Sequence, residues 1–380
     1  MTIQELDPQR QERAKAYGRI SRRLMLVSWM WSAVYAIFWL VIGWSADLKT
    51  LMMAVTGNEW LLLATFAAVF AGISAIIEMP LNYYSGFVLP HRFEMSNQTL
   101  KDWILDQGKG FLVGAPIGLF VLELIYLFLR TFPETWWLWA AGFMLVFSVI
   151  LGSLAPVLIM PIFNKFIPLE SEYADLAERL VRLAERANTR VKGVYKFDMS
   201  RRTKAANAAL TGIGASRRII LGDTLLEEFE PDEIEAVLAH ELGHHVNKDI
   251  PTGILINGVT TLVGLYLASL ALQAGIRLFG FESTADVAAL PLLILVLGAY
   301  GLVTMPLGNA WSRWRERKAD RYALEATGSG LAYASAMTRL ANQNLADADP
   351  EPWVEFMLHS HPALGKRIEM AKEYERSDPQ

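Results

Sequence analysis

The stretch WWLWAAGFMLVFSVILGSLAPVLIM, running from Trp136 to Met160, decides the fold class. It contains no charged side chain from end to end. A helix crossing the hydrocarbon core of a bilayer needs about 20 apolar residues, and this stretch is long enough. A helix buried in a soluble protein keeps a polar stripe on its solvent face, and none is present here. Working outward, five further runs have the same character: Leu24–Trp44, Trp60–Ile77, Phe111–Leu129, Ile254–Ile276 and Val287–Met305. All are read as membrane spans. The first is too long for the apolar region of a signal peptide and lacks a clear small-residue cleavage site, so it is kept as a span.

Composition agrees. Of 380 residues, 53% are hydrophobic and only 19% charged, against about 25% charged in ordinary soluble domains. The 35 basic and 39 acidic residues leave a net charge of -4. That excludes the basic footprint of a nucleic-acid binder. Cysteine is absent, which removes disulfides, thiolate metal sites and a cysteine nucleophile from consideration.

Lys and Arg set the orientation. They gather in the tail before the first span (Arg10, Arg13, Lys15, Arg19, Arg22, Arg23), between the second and third (Arg92, Lys101, Lys109), from Lys165 to Lys248, and after Met305 (Arg313, Arg315, Arg317, Lys318). The opposite loops offer only Lys49, Arg130 and Arg277 near their spans. Both termini and the polar segments are therefore expected in the cytoplasm. On that side the sequon Asn97-Gln98-Thr99 should be silent. Glu123, inside the third run, is either turned to a bundle interior or water-filled space, or held near the interface by a local partner.

The chain divides into a membrane region of four spans (1–164), a cytoplasmic catalytic segment (165–250), two further spans (251–308) and a C-terminal catalytic segment (309–380). In the first polar segment, Glu172–Asn188 has helical periodicity. Val191–Phe197 and Arg218–Leu221 read as strands, and Pro231–Lys248 reads as a helix opened by Pro231-Asp232-Glu233. The C-terminal segment reads as helical to Asn344, loops through Ala346–Pro352 and ends in another helix.

The helix Pro231–Lys248 contains His240-Glu241-Leu242-Gly243-His244. Residues four apart share a helix face, so His240 and His244 can aim imidazole nitrogens at one tetrahedral metal. Glu241 stands beside that metal as a base for water. Two histidines leave the site incomplete, and a carboxylate from a later helix is the usual completion. Glu316 is the best candidate, with Asp320 four residues on, able to accept the outer N–H of a ligating histidine. Near the C-terminus, His359-Ser360-His361-Pro362 precedes Arg367; a His or an Arg there can donate to a developing oxyanion.

With these residues in place, the chain resembles the Ste24-type CaaX prenyl protease family, the integral-membrane M48 zinc metallopeptidases, from about Pro80 to Ala371. The likeness rests on Asn97–Leu100, Ala155-Pro156 with Phe163–Phe166, Asn207-Ala208, Asp223–Leu226, His240–His244, Ser312–Asp320 and His359–Arg367. It implies one zinc ion per chain on His240, His244 and Glu316, with Glu241 as general base. Asp320 would orient a ligand or pass on a proton, and His361, supported by Arg367, would stabilise the tetrahedral intermediate. Asn207 and Ala208 would form an edge strand that binds the substrate backbone. The implied fold is mainly α: a polytopic membrane protein whose helices form a chamber, capped by a helical zincin-like domain with a small β-sheet. Two departures are visible: eukaryotic members have seven spans against six here, and their acidic insertion before the histidines is missing.

The function expected is a membrane zinc endopeptidase of bacterial type, in the inner membrane, acting on a peptide or protein substrate with or without a lipid group. A quality-control protease of the related M48 branch would use the same chemistry. A site-2-type intramembrane protease would bury its motif in an apolar span, whereas Asp232, Glu233, Glu235, His245, Lys248 and Asp249 surround this one. A transporter with an incidental metal site is the alternative from another class. No G-x-S-x-G is present, and Gly328-Ser329-Gly330 reads as a turn.

Overall fold

The computed structural model describes residues 5–169, 171–212 and 217–377. All six expected spans are long apolar helices. In the N-terminal part these are α1 (Pro8–Val41), followed by the short α2 (Trp44–Met53), then α3 (Glu59–Tyr83), α5 (Leu100–Thr131) and α6 (Trp136–Leu154). A π-helical turn at Tyr84–Val88 joins α3 to α4 (Leu89–Arg92), and another at Ala155–Ile159 joins α6 to α7 (Met160–Phe163). Pro80 and Pro156 lie close to these turns, where the missing proline N–H disturbs the helical ladder. The polar region holds α8 (Ala174–Arg186), α9 (Asp223–Glu228) and α10 (Pro231–Val246). Then come the membrane helices α11 (Asp249–Phe279) and α12 (Leu290–Thr327), and finally α13 (Gly330–Gln343), α14 (Pro352–Leu358) and α15 (Leu364–Ser377).

The helices start where local chemistry dictates. Asp7, Asn58 and Thr99 cap α1, α3 and α5 by accepting backbone N–H bonds in the first turn. Glu230 and Glu233 form a reciprocal capping box on α10. Hydropathy marks only the membrane-embedded part of each rod: α1 begins at Pro8, well before Leu24, and α12 continues unbroken from the last span through Glu316 and Asp320. It stops at Gly328, which adopts the left-handed conformation (φ +63°) and serves as the expected turn.

Two hydrophobic cores divide the molecule. One joins the sheet to α8, α10, α13 and α15, with Leu180, Ile219, Leu238 and Tyr333 at its centre. The other gathers Trp39, Leu63, Phe66, Tyr126, Trp136, Leu272 and Leu290. This membrane core lies at the end of the spans remote from the polar region. Around the membrane part, α1 packs on α3, α3 on α5, α5 on α6, α6 on α11, α11 on α12, and α12 back on α1. The six spans thus close a ring, with its buried apolar core at that far end. Glu123 is buried in the ring with no hydrogen-bond partner on either carboxylate oxygen, which answers the bundle-interior reading rather than the local-partner one.

Among the described residues the sheet has four strands, two more than the sequence runs suggest: β1 (Phe166–Pro168), β2 (Val194–Phe197), β3 (Ala208–Thr211) and β4 (Arg218–Gly222), in the order β1-β2-β4-β3. β2 and β4 are parallel, with Val194 opposite Ile219. β3 and β4 are antiparallel, with Ala208 opposite Leu221. β3 is an edge strand, and it runs beside α10.

Candidate active site

Helices α10 and α12 cross at Gly243, where a Cβ would lie 2.8 Å from the Ala319 Cα. This close approach brings the two helices' polar residues together. The Nε2 atoms of His240 and His244 are 3.2 Å apart. Glu316 reaches both, with Oε2 3.2 Å from His240 Nε2 and Oε1 3.3 Å from His244 Nε2. All three ligand atoms lie within 4.8 Å of one another.

The outer sides of both rings are occupied. His240 Nδ1 is 2.8 Å from Asp320 Oδ1, and His244 Nδ1 is 2.7 Å from Asp249 Oδ2. Carboxylates on Nδ1 hold the proton there and leave the Nε2 lone pairs facing each other. Two lone pairs and a carboxylate aimed at one point repel unless a cation lies between them. Glu316 Oε2 is buried, with His240 Nε2 facing it at 3.2 Å. Ligands about 2.0–2.1 Å from one tetrahedral centre stand about 3.3 Å apart, and the donors here match that separation. The residues fit a metal ion.

Without a metal, burial alone would push His240 down, but hydrogen bonds to Asp320 and Glu316 outweigh it and raise the imidazole to about 9. His244 is raised in the same way, by Glu316 and Asp249 against burial. Burial pushes Glu241 up, and the neighbouring imidazoles oppose this only in part.

Asp320 is completely buried. It accepts from Tyr333 Oη and from Arg367, whose Nη2 and Nε are 2.6 and 3.0 Å away. Such a carboxylate can orient His240. Arg367, expected on the substrate side in support of His361, lies buried behind His240 and spends its guanidinium on Asp320 and Tyr333. His361 projects from the loop between α14 and α15, with Nε2 3.3 Å from Glu316 Oε1 and a side chain 59% exposed. Ala208 opens β3, and Asn207, immediately before it, is exposed and accepts from Gly222 N at 2.9 Å.

Asp249 and Tyr333 were not legible as site residues. Asp249 looks like an ordinary acidic residue in a helix's first turn, although its spacing of five from His244 was a usable signal. Tyr333 sits in an alanine-rich helix with nothing to mark it.

Residues 2–165 match the family described as "CAAX prenyl protease N-terminal, five membrane helices". Residues 170–375 match "Peptidase family M48". The chain belongs to peptidase family M48. It is a membrane metalloendopeptidase, as its motifs led one to expect. An uncharacterized metalloprotease of Bacillus subtilis is 33% identical over 342 residues, covering 89% of this chain and 80% of that protein. CAAX prenyl protease 1 of Saccharomyces cerevisiae is 32% identical over 325 residues, 80% of this chain and 70% of that one. The crystal structure of S. mikatae Ste24p superposes with a TM-score of 0.87 at 25% identity, covering 96% of this chain and 90% of that chain. This M48 chain therefore has the Ste24p fold. Where the N-terminal family description counts five membrane helices, it has four long apolar ones and the short α2.

Proposed function

We propose that this protein is a zinc endopeptidase that cleaves membrane-associated peptides of CaaX or similar type, with its site on the cytoplasmic side of a bacterial inner membrane. The observation that carries the reading is the convergence of His240 Nε2, His244 Nε2 and Glu316 on one point, with each imidazole's other nitrogen already engaged by a carboxylate. Two neutral nitrogens and one carboxylate oxygen suit zinc, one ion per chain. Such an ion, when bound, polarises the scissile carbonyl and makes water acidic enough to deprotonate near neutral pH.

The chain's own groups do the rest. Glu241 takes the proton from the attacking water and returns it to the leaving amine. His361, on the exposed side of Glu316, is placed to donate to the oxygen that becomes negative. Asp320, held by Arg367 and Tyr333, keeps His240 in the ligating tautomer. An extended substrate can add to the open edge of β3 beside Asn207 and Ala208, its backbone hydrogen bonds fixing register. The closed ring of spans adjoins the site and can receive the apolar part of a substrate. The CaaX class comes from the names of the relatives; the ring is consistent with a lipid group on it.

The test is metal analysis of purified protein combined with cleavage of a CaaX peptide, prenylated and not, by wild type and Glu241→Gln. One zinc per chain in both proteins, with cleavage only by wild type, supports the reading. Cleavage retained by Glu241→Gln would sink it, and transport activity surviving the same substitution would favour a transporter.

A further inference from the structure

We propose that Arg313, assisted by Asn309, positions His361 over the reacting carbonyl by tying down the end of the helix from which the His361 loop departs. The proposal rests on the hydrolytic reading above.

Helix α14 is seven residues long and ends at Leu358. Glu355 O accepts from the C-cap His359 N at 3.2 Å, and the carbonyls that follow it need donors from outside the helix. Two residues of α12 supply them. Asn309 Nδ2 donates to Met357 O at 2.7 Å. Arg313 Nη1 lies 2.8 Å from Glu355 O, 3.3 Å from Phe356 O and 2.6 Å from His359 O. Arg313 is buried, and among the described residues its guanidinium forms no ion pair within 4 Å; its charge is spent on carbonyl oxygens.

The other end of the loop is tied as well. Glu355 Oε1 accepts from Ala363 N at 3.2 Å, and its other oxygen holds Lys366 Nζ. Between these ties, His361 is mostly exposed, and its ring meets Ser360 Oγ, 2.9 Å from Nδ1, and Glu316 Oε1, 3.3 Å from Nε2. Packing does not hold an exposed ring in place, so the backbone ties must. A misplacement of about 1 Å at a reacting group can cost about a hundredfold in rate. Asn309, Arg313, Glu316 and Asp320 follow one another at intervals of four, three and four, which puts them on one stripe of α12. That stripe carries a metal ligand, the carboxylate that orients another ligand, and the clamp for the oxyanion donor.

The experiment compares Arg313→Met, Arg313→Lys, Asn309→Ala, His361→Ala and Arg313→Met/His361→Ala in the full-length protein. It measures zinc content, Tm, hydrogen exchange over residues 355–363, and kcat on one peptide. Arg313→Met is expected to keep its zinc, to exchange faster in that segment, and to lose about 10²-fold in kcat, the scale of one oxyanion donor. His361→Ala should lose as much, and the double variant no more than about twofold further, because both remove the same interaction. Arg313→Lys, which keeps the charge and a donor, should recover most of the rate. Asn309→Ala, lacking one hydrogen bond, should lose about 3- to 10-fold, and it decides the matter if Arg313→Met does not fold.

Multiplicative losses in the double variant would overturn the proposal, as would full activity of Arg313→Met beside an impaired His361→Ala. If His361→Ala is fully active, the role of His361 falls and the clamp with it, while an inactive Glu241→Gln would still uphold the hydrolytic reading.

Discussion

Gly243 and Ala319 are in van der Waals contact across the crossing of α10 and α12, and a methyl on Gly243 would overlap the Ala319 Cα at 2.8 Å and its carbonyl oxygen at 3.0 Å. Both lie within the ligand spacing of their helices, Gly243 between the histidines and Ala319 between Glu316 and Asp320. Backbone atoms cannot swing aside as side chains do. Gly243→Ala should therefore part the helices where the ligands meet. We expect it to cost about 1–3 kcal/mol of stability, the usual penalty for overpacking, and to weaken zinc binding by tenfold or more. Thermal melts and competition with a calibrated chelator measure the two effects. Unchanged zinc affinity would mean that the crossing tolerates a shift of this size.

Asp320 supplies another test, because it shapes the site without touching the open face. Loss of a carboxylate that orients a metal-bound histidine costs about 10- to 100-fold in metal affinity. Asp320→Asn should fall in that range and also leave the Arg367 charge buried without its partner, so Tm should drop. Tyr333→Phe removes one hydrogen bond and keeps the charge pair, and its effect should be smaller on both measures. Equal losses from the two substitutions would contradict the assignment.

The metal-free site should compete with protons. His240 is raised to about 9 and His244 is raised too, so at neutral pH binding must displace at least one proton. Apparent zinc affinity should rise with pH by about one order of magnitude per pH unit below 9, more steeply where His244 titrates as well. The sign for stability is opposite in the metal-free protein. A group whose folded pKa lies above its unfolded value stabilises most below the unfolded value, about 6.5 for histidine. That contribution fades as pH rises through 9. Metal-free Tm should therefore fall on the alkaline side while zinc affinity climbs. Titration of affinity against pH, with protein Tm alongside, separates the two trends.

The spans and the ligand triad were legible because each depends on one property. Membrane helices need only a long run such as Trp136–Met160, and HExxH needs only a spacing of four on one helix. Glu316 required one further inference, that an open position awaits a carboxylate. What stayed hidden depends on tertiary approach. Gly243 reads as a weak helix residue until Ala319 is seen against it. Arg313 resembles the solvated arginines around it in Ser312–Lys318, yet it is buried and clamps another helix. Arg367 sits buried behind His240, bonded to Asp320 and Tyr333, a placement that no sequence spacing encodes. β1 escaped notice because three residues directly after a membrane helix carry no alternation, and β3 because its residues, Ala208 to Thr211, are a weak strand pattern recognised only by likeness.

The side of the membrane that holds the site can be tested directly, since the chain contains no cysteine. Single cysteines then act as unambiguous reporters. Glu227 is exposed on α9 in the catalytic region, and Glu134 is exposed in the turn between α5 and α6. That turn adjoins Trp136 of the remote core, so the two positions lie at opposite ends of the ring. Lys and Arg are concentrated at the catalytic end, and that bias is the basis for proposing that this end faces the cytoplasm. In intact cells of a bacterial expression host stripped of any outer barrier, a membrane-impermeant maleimide should label Glu134→Cys and spare Glu227→Cys. After lysis both should react. Neither residue takes part in the site, so both variants should cleave peptide normally, which certifies the fold being reported. Labelling of Glu227→Cys in intact cells, with Glu134→Cys protected, would reverse the orientation and put the substrate in the periplasm.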